Sequence, residues 1–368
     1  MRISLLNLLA FLGMIGLIPA DDVKSSQGAN SNNNSVASGG TSGASAASYQ
    51  PTGYFPGVNL SVAEFGKGAQ LNKDYTYPSD SEIAYFHSKG LKIVRIPFKW
   101  ERIQPQVRGD LDAANLAELD RCIATATHLG MAVLIDPHNY AGRNVGGKNA
   151  LVGIDPQLSN EDFNDFWLKL ANHYKDNPLV WFGLMNEPHK QTAAQDAATM
   201  QSAVNAIRAT GAQNRILVPG TSWTGAHSWI KSGNAAAFEN FSDPGNNFAF
   251  EVHQYLDKDS SGTHTEVVPG KGATAMVAFT DWARAHHFKA FLGEAGWDGN
   301  PANTQASAEG DALLSYMDQN KDVWIGYTYW AAGPWWGKYM YSVEPVGLKD
   351  GGTPVDRTQM SVLEKHLQ

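Results

Sequence analysis

Val180-Trp-Phe-Gly-Leu-Met-Asn-Glu-Pro-His189 opens as an apolar run and turns polar within a few residues. Its first half suits a strand buried on both faces, as in a parallel sheet. Asn186, Glu187, Pro188 and His189 then fall at that strand's C-terminal end. A parallel barrel packs its strands inside and opens its chemistry where they end. Ala290-Phe-Leu-Gly-Glu294 repeats the pattern, placing a second carboxylate after a short apolar strand. Taken singly, each glutamate is an ordinary loop acid. As a pair, they suggest two-carboxylate catalysis.

Working outward, strand-like segments recur at 55–60, 91–96, 131–135, 179–184, 215–218, 248–252, 290–293 and 323–330. Helical periodicity fills the gaps. Ser79-Asp80 supports a helix starting near Pro78, and Leu116, Leu119, Ile123 and Ala126 share one face of a helix over 112–128. Further helices are predicted over 161–174, 193–210, 272–286, 302–317 and 356–367. This alternation predicts an α/β protein, a closed (β/α)8 TIM barrel. The connection carrying Gly142, Gly146, Gly147 and Gly153 reads as a loop beside the site. It lacks the strand–turn–helix context of a phosphate-binding motif.

Three regions are expected: an export signal over 1–20, a low-complexity tail over 21–53 and the catalytic barrel over 54–368. Arg2 followed by the apolar 3–18 segment gives the signal its character, and that segment is short for a membrane span. The Ser-, Asn-, Gly- and Ala-rich tail has too few bulky groups to offset the entropy of ordering it. Secretion follows, or a periplasmic destination in a Gram-negative bacterium. The single cysteine, Cys122, excludes an intramolecular disulfide and reads as a buried structural thiol in a helix. A formal net charge of -8 gives no general attraction for nucleic acid. The aromatic share of 11% favours a neutral ligand that stacks on rings.

His138, His189, His227 and His253 fall in loops or at strand ends, without the helical His-and-acid spacing of a hydrolytic zinc motif. No metal and no cofactor are expected. Trp223, Trp229, Trp297, Trp335 and Trp336 sit near strand ends and following loops, where they are candidates for outer sugar platforms. Each also has an ordinary reading as loop packing.

From about Tyr54 onward the chain resembles the family 5 glycoside hydrolases, and most closely their secreted cellulases. Leu184-Met-Asn-Glu-Pro-His189 matches the family's acid/base segment, and Phe291-Leu-Gly-Glu294 matches its nucleophile segment. The resemblance implies Glu187 as acid/base and Glu294 as nucleophile. It implies Arg95 as support for the nucleophile, His138 after the third strand and Asn186 against a sugar hydroxyl. His253 and Tyr255 take the positions after the sixth strand, and Trp330 the floor of the central sugar site. Retaining hydrolysis asks for two carboxyls about 5 to 5.5 Å apart, one neutral and one ionised. The expectation is an endo-acting β-1,4-glucanase that cleaves cellulose or related β-glucans as a monomer, with neither a nucleic-acid partner nor stable membrane insertion. A β-mannanase of the same family is the nearer alternative, and a non-catalytic carbohydrate-binding barrel the more distant one.

Overall fold

The structure is a computed structural model that describes residues 53–368. The signal at 1–20 and all but the last residue of the tail at 21–53 lie outside the described residues. Parallel strands β1 (Phe55–Leu60), β2 (Ile93–Phe98), β3 (Ala132–Pro137), β6 (Val180–Gly183), β7 (Ile216–Val218), β8 (Phe248–His253), β9 (Ala290–Ala295) and β10 (Trp324–Ala332) close into a barrel. Its order is β1-β10-β9-β8-β7-β6-β3-β2. The remaining two strands, β4 (Gly142–Val145) and β5 (Lys148–Leu151), form a separate antiparallel hairpin.

The helices outside the barrel start where their caps direct. α1 (Asp80–Ser88), α4 (Asn160–Tyr174) and α5 (Ala193–Ala209) begin at Ser79, Ser159 and Thr192, each with a reciprocal capping box. Asp112 caps α3 (Ala113–His128) by accepting from Asn115 N–H. Cys122 lies buried in α3, and burial pushes its thiol up to about 12, which fits a structural residue. No described helix is long and apolar enough to cross a membrane.

Several boundaries differ from the sequence reading. β2 runs through Pro97, because β1 pairs with it only as far as Arg95 and the missing proline N–H breaks no ladder bond on that side. The glycine-rich connection is not all loop: Gly146 and Gly147, at φ 58° and 84°, make the two-residue turn of the β4–β5 hairpin. The 272–286 helix divides into α7 (Lys271–Thr274) and α8 (Val277–Ala285). At its start Gly272 packs so closely that a Cβ there would sit 2.1 Å from the Glu309 carbonyl of α9 (Thr304–Gln319). The predicted final helix shortens to α10 (Met360–Leu363) and a 3-10 turn.

The barrel interior is layered. Phe55, Ile93, Ala132, Leu134, Trp181, Leu217, Ala249 and Phe291 form an apolar plug inside the strands. Two residues further along their strands, Arg95 and Glu251 replace apolar groups, and both are buried. A packed lower layer thus carries a charged upper layer facing the strands' C-terminal ends.

The segment after β10 returns to α1 through a buried acid pair. Glu82 accepts from Ser79 N–H at 2.7 Å, and Glu344 accepts from Gly333 N–H at 3.0 Å. Burial, followed by the charge of Glu82, pushes Glu344 up from 4.5 to about 8. The folded pair retains a proton that the unfolded chain releases, so its own contribution to stability is most favourable below about pH 4.5 and declines until pH passes about 8. This pair steepens the fall by at most about 1.4 kcal/mol per pH unit. Thermal unfolding across that window is expected to be less pH-dependent in Glu344→Gln, and parallel wild-type and variant profiles would exclude proton retention.

Candidate active site

Arg95 projects from β2 into the barrel mouth with its guanidinium wholly buried. One terminal nitrogen donates to Asn59 Oδ1 at 2.8 Å and to Glu294 Oε1 at 3.0 Å. The other donates to Asn186 Oδ1 at 2.8 Å and lies 3.0 Å from Asp136 Oδ2. Nε is 3.1 Å from Glu251 Oε1. Side chains from β1, β3, β8, β9 and the β6 exit are therefore arranged around one planar cation.

Glu294 receives a second donor, Tyr255 O–H, at 2.7 Å from Oε2. The Tyr255 ring stacks near Tyr341 at 6.2 Å, and Gly262 passes so close that a Cβ there would approach the ring to 2.7 Å. At the β8–β9 pairing, the register shifts between Val252 and His253 so that His253 stands opposite Glu294. His253 Nδ1 lies 2.8 Å from Glu187 Oε1 and 3.5 Å from Glu294 Oε2. One side-chain oxygen each from Glu187 and Glu294 lies within 4.8 Å of the other.

The site's electrostatics separate its titratable groups. Burial raises Glu187 above the usual glutamate range, the His253 hydrogen bond opposes that shift and the Glu294 charge reinforces it. Burial disfavours charge on His253, but Glu294, Glu187 and Glu251 outweigh it and push the imidazole up to about 10. His253 is therefore protonated near neutral pH and donates toward Glu187. Burial holds His138 well below its ordinary value. Its neutral ring donates from Nδ1 to Asp136 at 2.8 Å and accepts from Asn186 Nδ2 at Nε2, 3.2 Å away. Asp136 is pushed up to about 6 by burial, against the lowering influence of Arg95.

Glu187, His253 and Glu294 are spaced closely enough to bridge a cation, which there would have to displace the His253 proton. Asp257, Asp259 and His264 form a second such grouping. Asp257 already accepts from Ser261, Gly262, Thr263 and His264.

Arg95, His138, Asn186, Glu187, His253, Tyr255 and Glu294 converge in this network. Trp330 reaches it by stacking on His138 with ring centres 5.5 Å apart. Trp223 is 43% exposed and stacks on His189 at 4.7 Å, leaving an aromatic surface on the rim. Trp335 is half-buried, as is Trp336, which contacts Phe65, Trp330 and Tyr339. Trp229 and Trp297 are not sugar platforms. Trp229 is enclosed by Phe238, Phe250, Phe279 and Trp282, while Trp297 packs between Gly310 and Tyr329. Their positions near strand ends concealed tertiary neighbours from the helical layer.

Asn59, Asp136 and Glu251 complete the polar network but were not selected as site residues from sequence. For Glu251, the available signal was an acid inside the apolar run Phe248-Ala-Phe-Glu-Val252.

Paired carboxylates at this separation, on the C-terminal face of a parallel barrel, have the geometry of a glycoside hydrolase. Residues 49–333 match Cellulase (glycosyl hydrolase family 5), and the chain belongs to that family. It is 38% identical over 293 residues to "Endo-beta-1,4-glucanase B" of Aspergillus niger, covering 78% of this chain and 84% of that relative. The solved XacCel5A complex with cellopentaose shares 43% identity and a TM-score of 0.79, covering 85% and 99% of the two chains. The Pseudomonas stutzeri endoglucanase Cel5A complex with cellobiose gives 31% identity and a TM-score of 0.76, with coverages of 85% and 92%.

The contrasting tryptophan environments predict different failures. Trp229→Ala is expected to lose about 3–5 kcal/mol of folding stability in chemical denaturation. Trp223→Ala is expected to retain stability and weaken oligosaccharide binding about 2- to 10-fold, corresponding to one lost ring contact. Calorimetry and ligand titration would reject this division if both variants showed the same defect.

Proposed function

We propose that this chain is an endo-acting retaining β-1,4-glucanase that cleaves cellulose or related β-glucans. The observation carrying this assignment is the approach of Glu187 and Glu294 to within 4.8 Å at the barrel mouth. Their different surroundings support different roles. Glu187 has its pKa raised by burial and supplies the proton, whereas Glu294 is aimed by Arg95 and Tyr255 and supplies the nucleophile.

In the first step, a Glu294 oxygen forms a bond to the anomeric carbon as the glycosidic C–O bond breaks. The Glu187 proton passes to the departing oxygen. Glu187 then removes a proton from water, whose oxygen attacks the anomeric carbon and releases Glu294. Two inversions preserve the starting configuration. Asn186 and Trp330 serve the central sugar, with Asn186 offering polar contact and Trp330 a ring face. His138 sets Asn186 through their hydrogen bond.

The names of the related glucanases favour β-glucan over β-mannan. The complete acid pair argues against a binding-only barrel. Trp223, Trp335 and Trp336 are assigned to the outer cleft. The enzyme acts as a monomer, with residues 1–20 serving export and 21–53 forming a tail before the 54–368 barrel. Its destination is extracellular, or periplasmic in a Gram-negative bacterium.

Glu187→Gln is expected to lower kcat by about 10²–10⁴-fold by removing general acid–base chemistry. Glu294→Ala is expected to abolish hydrolysis and recover turnover of an activated glycoside with azide. Wild-type turnover in either variant would overturn these roles. Reducing-end assays on cellulose, barley glucan, glucomannan and xylan would test substrate choice, with faster mannan cleavage overturning the glucanase assignment.

The first step requires protonated Glu187, so its deprotonation forms the alkaline limb of the kcat/KM profile. His253→Asn removes a cation whose hydrogen bond lowers the Glu187 pKa. The limb is therefore expected to move to higher pH, and a downward shift would contradict the electrostatic assignment.

A further inference from the structure

Both strands leading to the proposed catalytic acids carry a glycine inside the barrel, Gly183 in β6 and Gly293 in β9. The same side chain occupies the space beside them. A Cβ on Gly293 would lie 2.2 Å from Glu251 Oε1, and one on Gly183 would lie 3.4 Å from Glu251 Oε2. Gly293 therefore accommodates a buried carboxylate one residue before Glu294, with Gly183 adding room from the other catalytic strand.

Glu251 is also electrically connected to that space. Its Oε1 lies 3.1 Å from Arg95 Nε and 3.6 Å from His253 Nε2. Neither Arg95 Nε nor Glu251 Oε1 makes a hydrogen bond among the described residues. They form a close, buried ion pair. Arg95 contacts Glu294 from one side of this pair, while His253 contacts Glu187 from the other.

We propose that Glu251 is a positioning residue of the hydrolytic reaction, a buried counter-ion that acts through Arg95 and His253 to align the catalytic carboxylates. This assignment rests on Glu187 and Glu294 being the reacting pair. Glu251 is only 2% exposed beneath the mouth, a position that assigns it to orientation and charge balance rather than to sugar contact. The opposing groups are Arg95 from β2, Asp136 from β3, Glu187 after β6, His253 on β8 and Glu294 on β9. Together with Glu294 and Glu187, and against the burial of the ring, Glu251 favours retention of the His253 proton.

Glu251→Gln preserves most of the side-chain shape and removes its charge. Its expected signature is a kcat reduction of about 10- to 100-fold, comparable to losing one charged contact, with KM within about twofold of wild type. Imidazole NMR should show His253 losing its proton at lower pH than in wild type. A folded variant with unchanged kcat and an unmoved His253 titration would overturn the proposal.

If Glu251→Gln does not fold, Gly293→Ala provides a second test by displacing the carboxylate without changing formal charge. Reduced kcat together with a shifted His253 titration supports positioning; wild-type behaviour, or a kcat defect with normal His253 titration, overturns it. Mass spectrometry after treatment of the wild type with an activated 2-deoxy-2-fluoro glucoside tests the underlying catalytic assignment separately. No label on Glu294 rejects that assignment, whereas a labelled wild type with an unaffected Glu251→Gln enzyme rejects only the positioning role.

Discussion

The buried guanidinium of Arg95 is the constraint around which the barrel mouth is arranged. Removing this cation from water is favourable only with close partners, here hydrogen-bond acceptors on Asn59, Asn186 and Glu294 and the ion-pairing carboxylates of Asp136 and Glu251. Its planar fork presents donors in several fixed directions; a lysine would present a compact charge without that geometry. Folding and the proposed chemistry therefore share a requirement. Satisfying Arg95 also brings the β1, β2, β3, β6, β8 and β9 ends into register around the proposed catalytic carboxylates.

Charge counting explains why the network retains protons. Arg95 and protonated His253 face Asp136, Glu187, Glu251 and Glu294 in a space that excludes most water. Asp136 and Glu187 both have raised pKa values, with burial the leading cause for each. In the proposed mechanism Glu187 consequently begins as an acid, and His253 stabilises the charge left when that proton departs. This balance depends on local geometry rather than on the protein's overall negative charge.

The barrel was legible because strands covered on both faces leave contiguous apolar runs, separated by helices with a different period. Glu187 and Glu294 were legible because those runs break sharply at them. Burial of the tryptophans was less accessible from the sequence: Trp223 and Trp229 are six residues apart in the same aromatic stretch, yet Trp223 meets solvent and Trp229 meets four rings of the core. The 91–96 strand segment stops short of Pro97 because the missing proline N–H is local information, whereas the end of β1 pairing is tertiary information. Glu251 was obscured for a related reason. A solitary acid in a strand reveals neither its opposing cation nor the glycines that make room for it.

The loop after β7 connects this central network to the rim. Ser222, Trp223 and Thr224 occupy consecutive left-handed conformations at φ 58°, 57° and 47°, while Glu187 has φ 42°. Such positions cost of order 1–3 kcal/mol each unless their surroundings hold them. Here Trp223 N–H donates to the Pro188 carbonyl, and the Trp223 ring stacks on His189. Thr224 is fastened to β8 through its hydroxyl contact with the Glu251 carbonyl and its carbonyl contact with His253 N–H. The acid-bearing turn, the exposed aromatic ring and the strand carrying Glu251 and His253 are thus mechanically joined. A change in this loop therefore reaches both the exposed Trp223 ring and the alignment of Glu187 through one continuous set of backbone constraints.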